Sequence, residues 1–106
     1  MMYAVLFEDD DSRADMRPKH MPDHLDFLER NATSIHAAGP LKDTESDAPA
    51  GGLWIVEADS PQIARSLVEA DPFWRTGLRK SVRVLEWTRV FSNGNRLLLE
   101  TNGTHG

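Results

Sequence analysis

Residues 53–73, Leu-Trp-Ile-Val-Glu-Ala-Asp-Ser-Pro-Gln-Ile-Ala-Arg-Ser-Leu-Val-Glu-Ala-Asp-Pro-Phe, change their hydrophobic period halfway along. Leu53 to Ala58 is apolar on consecutive positions, which predicts a strand covered on both faces. Ser60-Pro61 is a helix N-cap followed by proline at the first helical position, where the missing N–H costs little. Ile63, Ala64, Leu67 and Val68 then share one helical face, and the helix is expected to end near Ala70. Asp71-Pro72 repeats the cap-plus-proline signal and opens a short turn, Phe73 to Thr76, stopped by Gly77.

Upstream of this strand-helix unit stands a second one. Residues 2–7, Met-Tyr-Ala-Val-Leu-Phe, read as a strand, and Glu8 to Asp11 as an acidic loop. Met21 to Ile35 reads as a helix with Met21, Leu25, Leu28, Ala32 and Ile35 in one stripe and Pro22 near its start, with a first turn that can extend back toward Pro18. Ala37 to Lys42, containing Gly39-Pro40, is expected to be a short strand, and Lys42 to Gly52 a hairpin loop. Downstream, Val82 to Phe91 reads as the last core strand, with Val82 and Val84 on one face and Leu85, Trp87 and Phe91 on the other. Asn93-Gly94 predicts a hairpin turn, after which Leu97-Leu98-Leu99 folds back as a short strand and Thr101 to Gly106 forms a loose tail. The chain thus divides into a core of residues 1–91 and an extension of residues 92–106.

The resulting order, β-α-β-β-α-β, is the ferredoxin-like α+β arrangement: a four-stranded antiparallel sheet with two helices on one face. Three of the four strands are apolar on both faces, and one chain has no spare element to cover the second face. A second copy packing sheet to sheet closes that face, so a homodimer is expected.

The formal charge is -5, from 17 acidic and 12 basic residues, which argues against nucleic acid or an anionic membrane surface as partner. No cysteine is present, so disulfides and thiol chemistry are excluded. The apolar start is too short for a signal peptide or membrane span, and a cytoplasmic location is expected. No Gly-rich phosphate loop, nucleophile elbow or dinucleotide fingerprint occurs, so no cofactor is expected.

Four segments carry a family resemblance. Met21-Pro22-Asp23-His24-Leu25 resembles the Pro-x-His-Leu opening of the first helix in the YciI-like (YCII-related) family, and Ala38-Gly39-Pro40-Leu41 resembles its Ala-Gly-Pro strand. Ser60-Pro61 through Asp71-Pro72-Phe73 resembles the second helix and its Asp-Pro-Phe/Tyr close, and Gly77-Leu78 through Val90 continues the match. The resemblance implies a dimeric α+β barrel and an active-site His–Asp dyad, which by motif match is His24 and Asp71. It also implies small organic substrates, including chlorinated rings and lactones, for the few relatives with an assigned activity.

Each candidate has a plain alternative. His24, near an expected helix start, is placed where the dipole favours the neutral ring that a general base needs; it could equally be a rim histidine satisfied by backbone. Asp71 directly before Pro72 is sufficiently explained as an N-cap. Arg17 could meet an anionic substrate or simply neutralise the acidic run. Phe73 and Trp74 could wall a pocket with Gly39 and Pro40, or belong to the core. His20 and His24 stand at i, i+4 but lack a third ligand, so no metal is expected. Two readings follow. One is a cofactor-independent acid/base enzyme of the lyase or isomerase type acting on a small molecule; the other is a non-catalytic dimeric ligand-binding or regulatory module. On the first, His24→Ala is expected to abolish turnover and leave melting nearly unchanged.

Overall fold

The computed structural model describes residues 1–97 of the 106. Its elements are β1 (Met2–Asp9), a 3₁₀ turn (Asp11–Arg13), α1 (Met16–Arg30), β2 (Ile35–Lys42), β3 (Pro49–Glu57), α2 (Pro61–Ala70), α3 (Pro72–Arg75), β4 (Arg79–Glu86) and the two-residue strands β5 (Phe91–Ser92) and β6 (Asn95–Arg96). The main sheet has the order β2-β3-β1-β4 with every neighbour antiparallel, which is the expected α+β ferredoxin-like topology. Leu98, Leu99 and the expected tail lie outside the described residues.

Alternation along the strands decides where the core lies. Tyr3, Val5 and Phe7 of β1 and Trp54 and Val56 of β3 point to one face and are buried there with Phe27 of α1 and Ala64 and Val68 of α2. Val82 and Val84 of β4 pair with Phe7 and Val5 and pack against the same cluster. The other face carries Ala4, Leu6, Leu53, Ile55 and Leu85, matched across the ladder as Ala4 with Ile55 and Leu85, and Leu6 with Leu53.

Several boundaries differ from the sequence expectation. α1 begins at Met16 and ends at Arg30, with Pro22 inside it, and Ile35 is the first residue of β2. The turn before it explains the early start. Asp10 accepts from both the backbone N–H and the hydroxyl of Ser12, which also holds the Asp10 carboxyl below its ordinary value. The 3₁₀ turn so formed feeds directly into α1. The inward stripe of α1 is also rotated: His24 and Phe27 are its buried residues, whereas Leu25 is 48% exposed.

β3 begins at Pro49 rather than Leu53, because Gly51 and Gly52 are buried sheet residues rather than loop. Gly51 has φ +87°, and a Cβ there would lie 1.8 Å from the Phe7 carbonyl oxygen. β4 starts earlier than expected, at Arg79, and stops at Glu86, where its ladder reaches Tyr3 near the start of β1. The Asn93-Gly94 turn forms with φ +53° and +79°, the positive pair that a type I′ hairpin needs. It joins β5 to β6 as a separate two-stranded ribbon and does not extend β4.

Candidate active site

Asp71 owes its position to Pro72. The residue before a proline is driven out of the helical region, so α2 stops at Ala70 and Asp71 is extended, with φ -67° and ψ 135°. Its Oδ1 accepts from the Phe73 backbone N–H at 3.3 Å and caps α3. The same oxygen lies 2.7 Å from His24 Nδ1, across 47 positions of sequence. Both side chains are buried, with His24 5% and Asp71 3% exposed. An ionised carboxylate can only accept, so Nδ1 is the donor of this bond. The Phe73 ring stacks on the imidazole with centroids 4.1 Å apart and planes 19° from parallel. His24 is thus held at one edge by a carboxylate and along one flat side by an aromatic ring.

His24 sits in the third turn of α1, not near its start. The helix dipole acts within the first turn, so it plays no part at this ring. His20 lies one turn earlier in the same helix and is half-buried. Among the described residues, no group of three His, Cys, Asp or Glu side chains converges as a metal site.

His24 opens on a cavity of about 130 Å³. Its apolar lining comes from Met21, Leu25 and Leu28 of α1, Trp54 of β3 and Pro40 of β2; its polar lining comes from His24, Arg17 and Arg79. Nε2 of His24 has no hydrogen-bond partner among the described residues and is not sealed off. Of the residues singled out from sequence, Arg17, Gly39 and Pro40 line this cavity with His24. Phe73 does not; it is fully buried behind the imidazole. Trp74 lies elsewhere, packing on the core with Arg65 over its ring at 5.9 Å. Neighbours on a one-turn helix point about 100° apart, so only one of Phe73 and Trp74 can face α1. Trp54 is both core and cavity wall.

Arg79 was not singled out from the sequence. It stands at the first position of β4, and a register shift beside Glu8 and Asp9 sets it opposite Asp9, with Lys80 left over. Its Nη1 donates to Asp9 Oδ1 at 2.9 Å, while Arg17 donates to the other oxygen of the same carboxylate. The guanidinium lies over the Phe7 ring, 4.1 Å from its centre. Burial pushes the Arg79 pKa below its ordinary value, against the opposing hydrogen bond and charge of Asp9. Gly52 leaves room for it, since a Cβ there would approach Nη1 to 3.3 Å. The paired glycines before an apolar run were the available sign of a close approach.

The comparisons with known proteins agree with this fold. No curated protein matches the chain. A solved structure of 5-chloro-2-hydroxyhydroquinone dehydrochlorinase (TftG) from Burkholderia phenoliruptrix AC1100, in complex with 2,5-dihydroxybenzoquinone, is similar with a TM-score of 0.70 and 28% identity, covering 83% of this chain and 94% of that one. The profile of the YCII-related domain matches residues 1–88. With most of its length inside that match, and with the sheet order and helix placement described above, the chain belongs to the YCII-related domain family.

Proposed function

We propose that this protein is an acid/base enzyme acting on a small ring compound, with His24 as the proton-transferring group and Asp71 as its orienting partner. One observation carries the reading: a buried imidazole that lines the cavity is fixed through Nδ1 by a buried carboxylate, while Nε2 has no partner among the described residues. A histidine with a purely structural role would have both nitrogens satisfied. The cavity volume also suits one ring, since a comparable apolar cavity of about 150 Å³ takes up benzene.

In the proposed step, Nε2 takes a proton from the substrate. The electron pair left by the broken bond moves into the ring, and a leaving group on the ring departs with its own bonding pair. The imidazolium formed is stabilised by the Asp71 carboxylate, and its proton is later returned to solvent or product. Loss of chloride from a hydroxylated ring, the reaction named for TftG, has this form and supports the choice of substrate class. Incubation with 5-chloro-2-hydroxyhydroquinone should release chloride in the wild type and none above background in His24→Ala. Equal release by the two proteins would remove His24 from the chemistry.

The reading includes a second copy of the chain. Ala4, Leu6, Leu53, Ile55 and Leu85 make an apolar surface on the sheet face away from the helices. A partner sheet of the same composition is self-complementary to it, as a two-fold dimer requires.

A further inference from the structure

Arg79 is a costly residue in its setting. Its side chain is 3% exposed, it lines the His24 cavity, and its Nε has no hydrogen-bond partner. A guanidinium offers five N–H donors, and among the described residues the bond to Asp9 is the one hydrogen bond of the Arg79 side chain. Tying the start of β4 to the end of β1 would need only an uncharged donor, without the desolvation that a buried cation carries. Arg17 is set beside it: its Cζ lies 5.6 Å and that of Arg79 5.3 Å from the centre of the Phe73 ring, on which His24 is stacked. The two guanidiniums share one carboxylate, Asp9, and the other nearby acid, Asp71, is engaged by His24. Neither Asp9 nor Asp71 lines the cavity, whereas both arginines do. The wall beside His24 therefore brings two guanidiniums to an otherwise apolar space.

We propose that Arg17 and Arg79 form an anion-binding wall of this cavity, so that the substrate is a small ring bearing an anionic oxygen, seated with that oxygen on the guanidiniums and its ring against His24. This rests on the His24–Asp71 reading and deepens it. The paired guanidiniums fix the ring in one orientation, and orientation decides which substrate proton faces Nε2. They also hold negative charge where it grows as that proton leaves.

The test uses benzoate and its uncharged counterpart benzamide as probes of the full chain, followed by NMR titration. Benzoate should bind saturably, shift the His24 ring signals and the Arg17 and Arg79 side-chain signals, and bind at least about tenfold more tightly than benzamide. Arg79→Gln should remove the preference. Arg17→Gln, at a side chain that is 23% exposed and tolerant of change, should weaken it even if the first variant folds poorly. Equal binding of the two probes, a preference unchanged in both variants, or no shift at His24 would each overturn the proposal. Turnover by His24→Ala is measured separately, so these outcomes leave the acid/base reading to its own test.

Discussion

At the scale of single residues, the proposed chemistry depends on one nitrogen of the His24 ring. Asp71→Asn keeps the size of the side chain but removes the carboxylate charge, and an amide nitrogen turned toward Nδ1 gives up the cap to α3 and favours the wrong tautomer. Turnover should fall by about 10²- to 10⁴-fold, the usual worth of a positioned acid/base group. Steady-state kinetics on a chloride-releasing substrate would check this, and wild-type rates in Asp71→Asn would contradict it. The structure changes one expectation for His24→Ala. With His24 5% exposed and stacked on Phe73, its loss leaves the Asp71 carboxylate buried without its partner. Destabilisation by about 1–3 kcal/mol is expected, rather than the near-unchanged melting that a rim position would give. Chemical denaturation of the two proteins measures it. The pair itself was legible in sequence only through family resemblance. Nothing local to His24 or Asp71 shows that they meet, because the contact spans 47 positions and is made by the packing of α1 on α3. Arg79 was not legible at all, since an arginine opening a strand looks like any surface residue until the register shift sets it opposite Asp9.

At the scale of elements, strong local chemistry marked boundaries well and weak chemistry did not. Ser60-Pro61 and Asp71-Pro72 placed α2 and α3 where they stand, because each pair joins a cap to a proline that can only start a helix. Ser60 Oγ accepts from the Ile63 N–H at 3.2 Å, so Ser60→Ala should cost about 1 kcal/mol. In a thermal melt that is a fall of about 4–8 °C, and an unchanged midpoint would show the cap to be idle. Pro22 resembles an opening signal, but α1 starts six residues earlier, after the 3₁₀ turn at Asp11–Arg13. Gly51 looks like loop in the sequence because glycine usually marks one, yet it is a buried residue of β3. Its φ of +87° and the 1.8 Å clash that a Cβ would make with the Phe7 carbonyl predict that Gly51→Ala is destabilising by about 1–3 kcal/mol or more. Since β3 carries Trp54 into the cavity wall, this variant should also weaken ligand binding.

At the scale of the whole molecule, the two faces of the sheet do different things. The helix face holds the core and the cavity, and this much followed from the β-α-β-β-α-β order read along the chain. The opposite face is the surface proposed to meet a second copy. Light scattering at micromolar concentration should give twice the 11.9 kDa of one chain, and Ile55→Glu should reduce it to one. A wild-type mass of 11.9 kDa would remove the dimer from the proposal. The cavity draws on both layers, since Arg17 and His24 come from α1 while Trp54, Pro40 and Arg79 come from three different strands. That is why composition and period did not reveal it.

In the proposed enzyme, Asp71 holds the His24 ring by Nδ1–H and leaves Nε2 bare for a substrate proton. Long-range ¹H–¹⁵N NMR of the imidazole distinguishes the two nitrogens directly. A single His24 tautomer is expected, with the hydrogen on Nδ1 and an unprotonated Nε2, converted to another state by Asp71→Asn. A His24 signal with the hydrogen on Nε2, or one averaged over both tautomers and indifferent to Asp71→Asn, would contradict it.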